Sequence, residues 1–331
     1  MFDVIIATYN RIETALKLSD SILKAESKLI NQIIIVDSSD FKYSKSLNNN
    51  KICYIKTEQK NQPYQRFLGY NVSKSEYLLF LDDDMELIND TIFEDCLSLF
   101  KTKNIIGLNL KFNHFNISLE RIQKGDYNIF SNKSFFSIIS GSPKLDKNKY
   151  TFCGIRGVRA SNEYIEYLSG GCFAIKRDNA YNNVNMQLFD IYKKKLGRGE
   201  DGIFGYSIAK SGMLYASGTV YFNHNGQNES IYSLNTYIHA ERFMYSRLFL
   251  SCEYYRLNNK AISKGYLRFH HYALAKIVGA IIRYLLKSNK TTEDLLKGYI
   301  SGYYKACKFK FDSNLISKTF WLKQLNLDLN K

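Results

Sequence analysis

Residues Glu76-Tyr77-Leu78-Leu79-Phe80-Leu81-Asp82-Asp83-Asp84-Met85 constrain this chain more than any other stretch. An apolar, strand-favouring run that ends in three carboxylates is the pattern of a buried strand surfacing at the edge of a parallel sheet. In open α/β folds, ligands bind outside that edge, at the carboxyl ends of the strands. Three adjacent acids repel one another, so a cation or a set of hydrogen-bond donors belongs opposite them. Mg²⁺ or Mn²⁺ would meet that need, because both take oxygen ligands and bridge carboxylates to phosphate-bearing substrates. The triplet would equally serve as the N-cap of a helix beginning near Met85, and the residues alone leave both readings open.

Upstream, Phe2 to Ala7 reads as a first buried strand and Thr8-Tyr9-Asn10-Arg11 as the loop at its carboxyl end. Leu16, Ser19, Ile22 and Leu23 then fall at helical spacing, and Gln32 to Asp37 gives a second strand ending in an acid. Strand, helix and strand in that order predict a right-handed βαβ unit. Lys51 to Lys56 reads as a third strand and Tyr64 to Ser73 as a helix leading into the acidic strand.

Downstream, a helix is predicted from Thr91 to Phe100 and a strand from Ile105 to Phe112. Asn113 to Tyr150 is polar, with turns marked by Gly141 and Pro143, and reads as an excursion suited to substrate selection. Order returns at Tyr164 to Lys176, where Gly170 and Gly171 at a strand's start would let a ligand or backbone approach. Glu200 and Asp201 open a helix running to about Lys210; acids there are explained by dipole capping or by a general base lifted into a cleft. Leu214 to Phe222 reads as a further strand, followed by Asn223 and His224.

From Ser233 onward the pattern is helical, with a 3.6-residue period from Tyr237 to Cys252, then Tyr266 to Leu286, then a start at Thr291 or Thr292 before Leu295 to Cys307. The switch near residue 230 marks two units, 1–230 and 231–331. With 331 residues and 45% hydrophobic content, the chain can build a sizeable core in either arrangement. The formal charge of +15 is uneven: from Cys252 to the end there are 15 Lys and Arg against 5 Asp and Glu. The six cysteines have no CxxC spacing and read as reduced thiols of a cytosolic protein. No signal peptide is indicated at the N-terminus, and the longest apolar run, Tyr272 to Leu286, is interrupted by Lys276 and Arg283 and is too short to span a bilayer.

The order of these parts resembles a family 2 inverting glycosyltransferase of the GT-A fold, over roughly residues 1 to 225. The resemblance is carried by Ala7-Thr8-Tyr9-Asn10-Arg11, Asp37, Arg66, Gly69, Glu76-Tyr77, Asp82-Asp83-Asp84 and Glu200-Asp201. It implies an α/β fold, a Rossmann-like mixed sheet with a C-terminal α-helical extension. It also implies that Thr8, Tyr9, Asn10 and Arg11 line the nucleotide, that Asp37 hydrogen-bonds the base, and that Arg66 lies near the phosphates. Asp82 is placed by the ribose with Asp83 beside it, and Asp84 is implied as a ligand of Mn²⁺ or Mg²⁺, with His224 as a further ligand. Asp201 is implied as the catalytic base with Glu200 beside it, and Gly170 and Gly171 as the segment under sugar and acceptor. Two departures stand out: Ser38-Ser39-Asp40 replaces an acid followed by Gly-Ser, and Phe67 replaces an Asn after the Arg.

The resulting expectation is transfer of a sugar from a nucleotide-diphosphate donor, a UDP-sugar foremost, to a hydroxyl of a glycan or lipid-linked acceptor in cell-surface polysaccharide synthesis. Two alternatives stand beside it. One is a nucleotide-sugar or glycan-binding protein without turnover. The other is a nucleotidyltransferase, which would normally carry a Gly-rich basic phosphate loop where this chain has Ala7 to Arg11. For the basic, aromatic-rich end, packing on the core, docking on an anionic membrane surface at the cytoplasmic face and homodimerisation are all open; nucleic acid is not expected, since no nucleic-acid motif accompanies the charge.

Overall fold

Strand β1 (Phe2–Thr8) is buried along its whole length, because the sheet flanks it on both edges and helices cover both faces. The computed structural model describes residues 1–25, 28–41, 43, 49–114, 143, 146–157, 160–178, 180–224, 235–313 and 316–330. The other strands are β2 (Ile30–Asp37), β3 (Ile52–Lys56), β4 (Tyr77–Asp82), β5 (Met85–Leu87), β6 (Gly107–His114), β7 (Glu163–Ile165), β8 (Cys172–Lys176) and β9 (Leu214–His224). They form one mixed sheet in the order β3-β2-β1-β4-β8-β6-β9-β5, with β7 paired to β9. β3, β2, β1 and β4 are mutually parallel, and β8 runs antiparallel to β4.

Alternate residues of β1 enter separate cores, as the period of two in a strand requires. Val4 and Ile6 join α1 (Ile12–Ala25) and α3 (Ile92–Thr102), whereas Ile5 joins α2 (Gln62–Val72), α4 (Gln187–Lys193) and α5 (Glu200–Ile208). Helix α2 starts cleanly: the Asn61 side chain accepts from Tyr64 N, and Pro63 occupies the first turn, where its missing N–H costs nothing. After β9 the described chain is helical: α6 (Thr236–Leu257), α7 (Ile262–Leu286), α8 (Lys290–Cys307) and α9 (Ile316–Leu329). The Ile5 core runs on without a break into α6, α7, α8 and α9 through Met244, Phe269, Ala306 and Trp321.

The predicted strands and helices of the first 110 residues lie where the sequence places them, with one exception. No helix begins at Met85; residues 85–87 are β5, so the acid triplet occupies a tight turn between two strands and its capping role is excluded. Three short or weakly patterned elements, β7, α4 and α9, were not anticipated. The excursion expected over 113–150 falls largely on residues 115–142, 144 and 145, outside the described residues. All six cysteines are free thiols.

Candidate active site

Parallel pairing sets the site. Thr8 lies in register with Asp37 and Ala7 with Asp82, so the ends of β1, β2 and β4 deliver their polar residues to one edge of the sheet. Antiparallel pairing does the same from the other side, because Met85 of β5 pairs with His224 of β9 and brings His224 beside the acid turn.

Each acid of the triplet faces a different way. Asp82 Oδ1 accepts from Arg66 Nη2 at 2.8 Å and from Gln62 Nε2 at 2.9 Å. Asp83 is buried; it accepts from Thr8 Oγ1 at 2.6 Å and pairs with Arg11 at 2.5 Å. Burial nonetheless pushes the Asp83 carboxyl up to about 6, with Thr8 and Arg11 only partly offsetting it. Asp84 Oδ2 accepts from Arg11 Nη1 at 3.0 Å, and Asp84 Oδ1 lies 3.2 Å from His224 Nε2. Burial alone would raise the Asp84 carboxyl, but His224 and Arg11 outweigh it and hold it below the usual range. Asp84 in turn raises the His224 imidazole above its usual value, against the effect of burial.

A divalent ion fits this corner. Asp82, Asp84 and His224 each present one ligand atom, all within 4.8 Å of one another. Asp84 Oδ1 is buried and faces the His224 ring nitrogen at 3.2 Å, a carboxylate oxygen and an imidazole nitrogen turned to the same point as a shared cation would require. Two carboxylate oxygens and an imidazole nitrogen suit Mn²⁺ well and Mg²⁺ acceptably.

Arg66, one and a half turns inside α2 and only 5% exposed, joins the two halves of the site. Its Nη2 holds Asp82 and its Nη1 donates to Asp201 Oδ1 at 2.6 Å. Asp201 and Glu200 occupy the first turn of α5. Burial, reinforced by the Asp201 charge, raises the Glu200 carboxyl to about 8. Both acids line a cleft with Arg66, Pro63, Tyr181 and Phe204. Gly170 lies directly under Asp201: a Cβ there would come within 2.2 Å of Asp201 Oδ2. Gly171 holds a left-handed φ of +95° where the backbone turns into β8, a conformation suited to glycine.

The residues expected at the nucleotide form a second, contiguous cluster. Asp37 is fully buried; Ser39 N donates to its Oδ1 at 2.7 Å, while Tyr54 Oη and Lys56 Nζ reach Oδ2 at 2.7 and 3.3 Å. Asn10, in a left-handed conformation with φ 56°, ties the β1 loop to the β2 loop, its Oδ1 accepting from Asp40 N at 3.0 Å. The exposed Tyr9 donates to Asp40 at 2.9 Å and lies under Lys60, whose ammonium is 5.0 Å from the ring centre. Lys60 also pairs with Asp40. The structure therefore assembles Thr8, Arg11, Arg66, Asp82, Asp83, Asp84, Gly170, Gly171, Glu200, Asp201 and His224 in one place, with Tyr9, Asn10 and Asp37 adjoining. Gln62, Tyr54, Lys56, Asp40 and Lys60 belong to the same surroundings and were missed. Only their partners identify them, since nothing in their own spacing carries a signal.

A family model described as glycosyl transferase family 2 matches residues 3–179. The crystal structure of S. aureus TarS 1–349 aligns with 15% sequence identity and a TM-score of 0.51, covering 91% of this chain and 80% of that one, and shows a shared fold. S. aureus TarS 1–349 in complex with UDP-GlcNAc aligns with 12% identity and a TM-score of 0.44, covering 94% and 93% of the two chains. The mannosyltransferase PcManGT from Pyrobaculum calidifontis, in complex with GDP-Man and Mn²⁺, aligns with 11% identity and a TM-score of 0.45, covering 92% and 86%. A search of curated proteins finds no match.

Proposed function

The chain belongs to glycosyl transferase family 2, and from that premise we propose that it transfers a sugar, with inversion, from a nucleotide-diphosphate donor to an acceptor hydroxyl. The observation that carries this reading is the Arg66 bridge, which ties the acid pair of α5 to an acid turn able to hold a cation. Transfer needs those two functions within one sugar's reach of each other.

Asp201 takes the proton of the acceptor hydroxyl as its oxygen bonds to the anomeric carbon, while the bond from that carbon to the diphosphate oxygen breaks on the opposite face. One displacement inverts the anomeric centre. Glu200 stands beside the base, its carboxyl raised by burial and by the Asp201 charge. Arg66, donating to Asp201, leaves that carboxylate oriented at the cleft mouth. Asp82, Asp84 and His224 would hold Mn²⁺ or Mg²⁺, which when bound neutralises charge on the leaving diphosphate. Thr8, Tyr9, Asn10, Arg11 and Asp37 contact the nucleotide, a UDP donor being the leading candidate. Residues 1–230 form the donor-binding and catalytic unit in this reading, and 231–331 a helical unit. The acceptor is a glycan or lipid-linked glycan of cell-surface polysaccharide synthesis, reached from the cytoplasm.

The test is incubation of purified protein with a panel of nucleotide sugars and Mn²⁺, following nucleotide release. Wild type should turn over one donor class, and D201N should lose roughly 10²- to 10⁴-fold in turnover while still binding that donor. D84N should need more Mn²⁺ for the same donor binding. Tight donor binding with no nucleotide release by wild type, with or without acceptor glycans, would instead identify a binding protein.

A further inference from the structure

Helix α7 is apolar on two opposite faces. Its inner face buries Gly265, Phe269, Tyr272, Ala273 and Ala280 in the shared core. Its outer face exposes Leu267 (70%), Leu274 (51%), Val278 (54%), Ile281 (39%) and Leu285 (75%), which recur at intervals of three, four and seven and so fall along one stripe. From Leu267 to Leu285 that stripe is roughly 27 Å long. Among the described residues no other element covers these side chains. Isolated exposed apolar residues need no explanation, but an aligned row of this length marks a contact surface.

The charge around the stripe identifies what it contacts. Helix α7 carries no Asp or Glu; Lys264 and Arg268 are exposed beside the stripe, Lys287 and Lys290 follow its end, and Lys276 and Arg283 project from the opposite side, Lys276 over the buried Tyr272. A second copy of this chain would be a poor match: a two-fold pairing of α7 with α7 would set those cations against their own kind with no acid on the helix to answer them. An anionic lipid surface accepts both features, taking the apolar stripe into the headgroup boundary and attracting Lys264 and Arg268 beside it. No helix among the described residues is long and apolar enough to cross a membrane, so the contact is with the surface. We propose that the outer face of α7 docks this protein on an anionic membrane, with Leu267, Leu274, Val278 and Leu285 inserted and Lys264 and Arg268 at the headgroups.

This geometry also sets the position of the active site. Arg268 stacks 5.8 Å from the Phe152 ring centre, and the turn containing Phe152 continues to Gly154, which abuts Leu250 of α6. Leu250 also borders Gly199, the residue before Glu200 and Asp201. Docking through α7 therefore places the catalytic helix one helix layer from the lipid.

The experiment is flotation of the full-length protein with vesicles of phosphatidylcholine alone and of an equal mixture of phosphatidylcholine and phosphatidylglycerol, with no donor or metal present. The protein should float with the mixed vesicles, stay down with the neutral ones, and be released by high salt. The exposed-face variant L267Q/L274Q/V278Q/L285Q should lose flotation by about tenfold or more, and K264Q/R268Q should lose it partly, both with the melting temperature of wild type. Wild type remaining down with anionic vesicles, or the quadruple variant floating as well as wild type, would overturn the proposal. So would a solution dimer that the quadruple variant splits to monomers, since the stripe would then be a protein interface. Because the assay involves no sugar transfer, its failure would leave the transferase reading intact, and loss of turnover would leave this one intact.

Discussion

Glu200 and Asp201 are neighbours in sequence with opposite surroundings: Asp201 accepts from Arg66, whereas Glu200 is desolvated beside a like charge. The Glu200 carboxyl rises from an ordinary 4.5 to about 8, so the folded protein keeps a proton that the unfolded chain releases between those values. The stability this group contributes is then complete below about pH 4.5 and is lost as pH rises through about 8. E200Q removes that titration; urea melts should show it equal to wild type near pH 4.5 and more stable at pH 8, by at most on the order of 4 kcal/mol for a shift of that size. An equal offset at both pH values would mean that Glu200 titrates normally. Gly170 is the second sensitive residue. The Cβ of G170A would overlap Asp201 Oδ2, and because Arg66 anchors that carboxylate, relief comes only by moving Asp201, the base of the proposed transfer. Turnover should fall by roughly 10²-fold while donor affinity and melting temperature stay near wild type.

At the scale of elements, what could be read from the sequence followed the strength of the local pattern. β1, β2 and β4 are flanked on both edges and covered on both faces, so their residues had to form continuous apolar runs, and the polar residues that end them mark the site. β5 was illegible because three residues carry no period, and only its pairing with β9 makes it a strand. His224 could be placed by analogy, but its approach to Asp84 depends on that same pairing. Helix α9 lacked a one-sided stripe: its buried residues are Ser317, Trp321, Leu325 and Asp328, two of them polar. It docks through hydrogen bonds as much as through apolar area, with Asp328 Oδ2 accepting from Thr57 at 2.9 Å and Tyr64 at 2.8 Å. Trp321 Nε1 donates to Asp190 at 2.8 Å. D328A would leave the buried hydroxyls of Thr57 and Tyr64 without an acceptor, and should cost about 1–3 kcal/mol in denaturant melts. Since Tyr64 lies two residues before Arg66, the same variant should also weaken donor turnover, whereas a purely peripheral α9 would leave turnover unchanged.

For the whole molecule, a change in secondary-structure type near residue 230 and the extent of the core are different things. The strands end at His224, but the apolar cluster that begins at Ile5 and Ile34 passes through Phe204 and Tyr206 into Met244, Leu248, Phe249, Phe269 and Trp321. Tyr150 and Tyr206 stack at 4.8 Å, and Tyr206 stacks in turn on Tyr254 of α6 at 5.4 Å. Cutting the chain after residue 234 would therefore uncover one side of α5, the helix that carries Glu200 and Asp201. Each large apolar side chain returned to water costs on the order of 1.5–3 kcal/mol, and a handful would exceed the typical 5–15 kcal/mol stability of a domain. Residues 1–234 expressed alone should accordingly be aggregated or lack a cooperative melt, and adding residues 235–331 as a separate chain should restore at most part of the fold. A truncated protein that melts cooperatively and still releases nucleotide would show that the helices are an appendage. Under the membrane proposal, α7 would then serve only as a tether. If truncation unfolds the protein, α6 to α8 and the helix that carries Asp201 are parts of one core, and the exposed face of α7 is fixed relative to that helix.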